Sequence, residues 1–177
     1  MNIIESIQNY FYQNELKDKS ANRPARQITN LQDAKTVGII YDSTPPDNDV
    51  IITKFSEMLK GKEKTVEVMA YLNDKKIDHK ADINIFNKKA VNWYGVPTDD
   101  RVTAFTNKNF DLLICAITEE SKPLEYIAYT SRAKYRVGPF AEDKTQLFDL
   151  MIQLDSKRDL NYLLQQMTHF LDNIKYN

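Results

Sequence analysis

The residues best equipped for chemistry follow the first strand-like run, in "TVGIIYDSTPPDND" at 36–49. Asp42, Ser43 and Thr44 bring a carboxylate and two hydroxyls to the place where a short apolar segment ends. In nucleotide-binding α/β proteins that place holds a phosphate, cradled by backbone amides of a glycine-rich turn at a helix N-terminus. Here the loop 42–49 contains no glycine, and Pro45 and Pro46 remove two amide donors. Neither the dinucleotide fingerprint nor the Gly-Lys-Ser/Thr ending of a P-loop is present.

Two aspartate chemistries fail on the residue each requires. Haloacid-dehalogenase-type phosphatases need a second aspartate two positions on, where Thr44 stands; receiver domains need a phosphorylatable aspartate after the central strand, where "ICAITEE" has Glu119 and Glu120. For Asp42 the plainer role is capping and loop hydrogen bonding. Of the two histidines, His79 lies in the polar stretch "KKIDHKAD" and His169 falls opposite an apolar helical stripe. Neither has metal-ligand spacing, so no catalytic residue, metal ligand or cofactor is assigned. Cys115, the single cysteine, sits in "LLICAI" and reads as a buried, inert thiol. Basic residues gather in "SRAKYRVG". On a strand Lys134 and Arg136 share a face, and with Arg132 they form either an anion site or a solvated face paired to acids such as Glu142 and Asp143. Trp93 and Tyr94 of "NWYG" offer an aromatic platform or, more commonly, a packing or partner contact.

Composition narrows the partners. The 177 residues hold 24 basic and 25 acidic side chains, so no net field steers the chain to nucleic acid or anionic lipid. A hydrophobic content of 42% fits a globular domain. No window has the apolar length of a membrane span, and the N-terminus lacks the basic and apolar regions of a secretory signal, so a cytoplasmic location is expected.

Positioning these residues requires strands and helices in alternation. Residues 1–19 read as an amphipathic helix, with Ile3, Ile4, Ile7, Tyr10 and Phe11 on one side and Glu5, Gln8 and Tyr12 on the other. Either that apolar side packs back on its own domain or it docks another subunit or partner. Residues 20–35 read as a polar linker. From 36 to 177, "TVGIIY", "TVEVMAYL", "ADINIF", "FDLLICAI", "KYRVG" and "FDLMIQL" read as strands. Between them lie a helix through Ile51–Leu59, capped by Asp47 or Asp49 and closed by Gly61; one capped by Thr98; and one opened by Ser121 and Pro123. A last helix carries Leu160 to Ile174. The pattern predicts a three-layer, Rossmann-like α/β domain with a mainly parallel sheet, plus the N-terminal helix. In the commonest strand order a crevice opens between the 36–41 and 110–117 strands, with Asp42, Ser43 and Thr44 on one wall and Thr118 to Ser121 on the other. Asp42, Ser43, Thr44, Glu119, Arg132 and Arg136 are therefore the candidate ligand-binding residues.

With "FDLLI", "AKYRVG", "DLMI" and "NWYG" in this order and spacing, the chain resembles an uncharacterised Bacteroidetes family that begins with a helix and continues into a Rossmann-like domain. That likeness runs from about residue 36 to the end and implies a small cytoplasmic α/β protein of no established activity. The strand–helix–strand from "FDLLICAI" to Arg136-Val137-Gly138 is also similar to the acceptor-side half of heptosyltransferase-type glycosyltransferases. No second Rossmann domain is present, the loop 42–49 does not match their catalytic-base loop, and no catalytic residue is carried over. Two functions stand. The first is a non-catalytic domain working through protein contacts, a homo-oligomer or a protein partner engaging the N-terminal helix. The alternative is a small-molecule binder or transferase-like enzyme for a phosphorylated or sugar ligand in the crevice.

Overall fold

A computed structural model describes residues 3–19, 24–75, 84–154 and 159–175. The expected alternation is present: α1 (Ile3–Lys19), β1 (Thr36–Asp42), α2 (Asn48–Gly61), β2 (Thr65–Leu72), β3 (Asn84–Asn87), α3 (Asp100–Thr106), β4 (Leu112–Ala116), α4 (Lys122–Thr130), β5 (Tyr135–Pro139), β6 (Leu150–Ile152) and α5 (Leu160–Asn173). The six strands form one sheet in the order β3-β2-β1-β4-β5-β6, and every pairing is parallel. This is a Rossmann-like α/β architecture, with the reversal of strand order between β1 and β4.

Continuous apolar runs suit β1 and β4 because both faces of a parallel sheet are covered. Val37, Ile39, Tyr41, Leu112 and Ile114 enter one core with Ile52 and Leu59 of α2 and Leu163, Met167 and Leu171 of α5. Ile40, Leu113 and Cys115 enter the other with Phe105 of α3, Leu124 and Ile127 of α4, and Tyr12 and Leu16 of α1. The helices thus make the two outer layers, α2 and α5 on one side and α1, α3 and α4 on the other.

Several local details differ from the sequence reading. The cap of α3 is Asp99, whose carboxylate accepts the Arg101 N–H, one residue beyond the expected Thr98. Gly61 is the last helical residue of α2; the left-handed residue that closes the turn is Glu63, with φ 60°. Of residues 20–35, expected as a linker, 20–23 fall outside the described residues and 24–35 lie along the domain: Leu31 and Ala34 are buried, and the Gln27 and Leu31 N–H groups donate to the Lys134 and Leu171 carbonyls. His79 falls outside the described residues. His169 is exposed on α5.

Helix α1 packs on α4, but not by its apolar stripe. Tyr12 and Leu16 are the buried residues, and the Tyr12 hydroxyl donates to the Lys122 carbonyl at 3.0 Å. Ile3, Ile4, Ile7, Tyr10 and Phe11 face outward. At ~100° per residue the buried and apolar sides lie on roughly opposite faces of the helix.

Candidate functional site

The loop after β1 is held by its own polar groups. Asp42 Oδ1 accepts the Thr44 N–H at 2.8 Å, a local aspartate turn, and the Asp42 carbonyl accepts the Asn48 amide at 2.9 Å. The Ser43 hydroxyl and the buried Tyr41 hydroxyl both donate to Asp49 Oδ1, at 2.5 and 2.8 Å. Burial, reinforced by that bond to Asp49, raises the Tyr41 pKa above the usual phenol value, so the hydroxyl stays a donor. Thr44 Oγ1 accepts the Asn73 N–H at 2.9 Å, tying the loop to the end of β2. These side chains close a turn and satisfy a buried tyrosine. The expected capping of α2 is not seen, because Asp47 at its N-cap makes no side-chain cap hydrogen bond and Asp49, inside the helix, accepts from Ser43 and Tyr41.

The two basic candidates sit elsewhere. Arg132 is exposed beyond α4, and its backbone N–H donates to Thr106. Arg136 is buried near the start of β5. Its Nε and Nη2 donate to Asp149 at 3.3 and 3.2 Å, and its backbone N–H donates to the same carboxylate at 2.8 Å. Arg26 adds a third cationic contact to Asp149 at 2.8 Å. Lys134 pairs with Asp111 at 2.8 Å. The acids that answer the basic cluster are therefore Asp111 and Asp149, brought in by register, instead of the nearby Glu142 and Asp143. Arg136 stands beside Leu113, which stands beside Gly38. Asp42 is four residues further along its strand, about 13 Å at the strand rise, and two strands across. The structure does not bring Asp42 and Arg136 together.

Glu119 meets a different set of residues. It is exposed at the lip of a cavity of about 180 Å³ beyond the carboxyl ends of β4, β5 and β6. Thr118, Glu125, Phe140, Lys144 and Phe148 line it. Lys144 donates to Glu125 at 2.9 Å and Glu120 at 3.3 Å. Burial works against its charge, but the bond to Glu125 and then Glu120 outweighs it and holds the ammonium pKa above the ordinary lysine value. The cavity thus takes Thr118, Glu119 and Glu120 of the expected Thr118–Ser121 wall, without Ser121, and pairs them with the β5–β6 side instead of Asp42–Thr44. Among the described residues, no cluster of three or more histidine, cysteine or acidic side chains could hold a metal ion. No helix among them is long and apolar enough to cross a membrane.

The most exposed apolar feature joins α1 to the "NWYG" loop. Ile3, Ile4, Ile7, Tyr10 and Phe11 are 77%, 60%, 46%, 64% and 44% exposed, and Trp93 is 56% exposed. The loop is built to stand there. Asn92 Oδ1 accepts the Tyr94 and Val96 N–H groups, and Gly95 turns the chain at φ +101°, where a side chain would be strained and would meet Lys122. The Trp93 and Tyr94 rings lie 5.3 and 5.9 Å from Phe11, and Gln8 Nε2 donates to the Trp93 carbonyl at 2.7 Å. Lys122 donates to Asn9 at 2.6 Å and lies near the Tyr12 ring, so the helix is anchored along its inner side. Helical periodicity identifies this stripe in the sequence; its outward direction depends on Tyr12 and Leu16 finding α4.

Residues 7–174 match a family of unknown function, DUF6913, and the chain belongs to that family. No curated protein and no solved structure matches it.

Proposed function

We propose that this chain, a member of a family of unknown function, is an α/β domain that acts through protein–protein contacts rather than catalysis. The outward face of α1 and the Trp93 loop are its contact surface. One observation carries the reading: a contiguous apolar face is held open on a helix already anchored to the domain. At roughly 200 Å² for a fully exposed large side chain, the six residues leave on the order of 700 Å² uncovered. The largest apolar patch on a typical monomer is about 300–600 Å². Tagged chain in a cell extract, sized under native conditions, is expected to run well above its own 20.6 kDa. The triple substitution Ile4→Ser, Ile7→Ser, Phe11→Ser should return it to the monomer position; equal migration of both forms as monomers refutes the reading.

A second reading, a binder of a small phosphorylated or sugar ligand, is favoured by the cavity at Glu119 and Lys144. It lies outside the carboxyl ends of the strands, where open α/β sheets receive ligands. Thermal-shift titration with sugar phosphates tests it. A ligand at a hundred times its Kd adds about 2.7 kcal/mol, and Lys144→Met should abolish that rise.

A further inference from the structure

Resting on the reading of the α1 face as a contact surface, we infer that its partner is a second copy of this chain. The two α1 helices pair antiparallel about a two-fold axis beside Ile7. A two-fold interface must be complementary to itself, each residue i meeting j where j meets i. The apolar stripe has that property. Reflection about Ile7 carries Ile3 onto Phe11 and Ile4 onto Tyr10, and leaves Ile7 opposite itself. Every apolar residue then meets an apolar residue.

Charge agrees with this arrangement. Glu5 is the single charged residue between positions 3 and 14, and the same reflection sets it opposite Asn9. No like charges face each other across the axis. An anionic lipid surface would want lysine or arginine flanking the apolar stripe, and this part of the helix has none. Trp93 extends the match. It packs against Phe11, so it reaches the end of the stripe that receives the partner's Ile3, and the aromatic loop of each protomer covers the N-terminal turn of the other helix. The area is also sufficient: on the order of 700 Å² per protomer approaches the ~800 Å² that each side of a stable interface contributes. Anchoring by Tyr12 and Leu16 holds the face in place beforehand, so little ordering is needed on association.

Sedimentation velocity on the purified full chain, from low to high micromolar, should show a dimer whose population rises with concentration. Ile7→Glu places two carboxylates together at the axis and should weaken dimerisation at least 100-fold. Its circular dichroism and thermal midpoint should match monomeric wild type, because Ile7 is exposed. Gln13→Glu, also exposed but off the stripe, should leave the dimer intact. Geometry has its own test. Cys115 is buried, so an added surface thiol is the reactive one. Mild oxidation should link Ile7→Cys to itself, and a mixture of Ile4→Cys with Tyr10→Cys should give the mixed disulfide over either symmetric one.

Symmetric disulfides in that mixture would overturn the antiparallel pairing. A dimer indifferent to Ile7→Glu would overturn the interface. A wild type monomeric at every concentration overturns the second copy as partner. If the extract complex still depends on Ile4, Ile7 and Phe11, the contact-surface reading survives with another protein on that face; if no such complex exists, both fail. A monomer that sediments with phosphatidylcholine vesicles through Ile7 assigns the face to lipid and overturns the dimer.

Discussion

Asp149 and Arg136 are side chains only 3% and 5% exposed, locked to each other within the layer that also holds Cys115. Removing one partner of such a pair leaves an uncompensated buried charge, which costs about 3–5 kcal/mol, whereas replacing both with apolar residues of similar volume is often near neutral. Asp149→Ala is therefore expected to lose that amount in urea denaturation, and Arg136→Met with Asp149→Leu to lose much less. Asp111 makes a second prediction. Burial opposes its charge, but hydrogen bonds from Lys134, the Thr36 and Lys35 amides and the Thr36 hydroxyl prevail and bring its pKa down to about 2. A carboxyl depressed on folding stabilises fully above its unfolded pKa near 3.8 and loses that contribution as pH falls through about 2. Asp111 is partly open to solvent and Lys134 is 40% exposed, so screening limits what this pairing contributes to about 1 kcal/mol. Stability measured from pH 5 to pH 2 should fall in wild type, with this component absent in Asp111→Asn.

Strand β5 shows how an element is shaped by what must lie against it. A Cβ on Gly138 would stand 2.4 Å from the ring of Phe148, itself buried, so the backbone and that ring are in direct contact. The ring is buried and lines the cavity beside Lys144, and Gly138→Ala should cost about 1–3 kcal/mol as an overpacked core. Adding Phe148→Leu should recover part of the loss, as read from thermal midpoints; no recovery would assign the cost to the backbone. The glycine of "YRVG" is thus explained by packing within this chain. Helix α1 was legible as an amphipathic element from its spacing alone. Which side it buries was not, because Tyr12 and Leu16 are a smaller apolar set than the stripe and are chosen by α4, more than a hundred residues away in sequence.

At the scale of the molecule, the sheet order puts β1 and β4 in the centre and β3 and β6 at the edges. Central strands have neighbours on both sides and helices on both faces, and they should open only with global unfolding. Native-state hydrogen exchange is expected to rank the amides of Ile39, Ile40, Leu113 and Ile114 slowest and those of Ile85 and Met151 faster. Comparable protection in edge and centre would mean the whole sheet opens as one unit. The same order explains why the predicted crevice divides. Thr118–Glu120 turn toward β5 and β6 around Lys144, while Asp42–Thr44 are bound to Asn48, Asp49 and Asn73.

Local chemistry determined much of this protein before any tertiary contact was known. The short apolar runs at 36–41, rich in β-branched residues, and at 110–117 suit strands of a covered parallel sheet, and the helical stripes between them point to the three-layer class. The absence of glycine and the two prolines after β1 likewise excluded the familiar phosphate loops from sequence alone. Tertiary structure decided the pairings that span the chain: Asp111 with Lys134, Asp149 with Arg136 and Arg26, Glu125 with Lys144, and Tyr12 with α4. Periodicity tells which residues share a face, because the helix and strand repeats are local. It does not tell what that face meets, because strand order and register place residues that the sequence keeps far apart side by side.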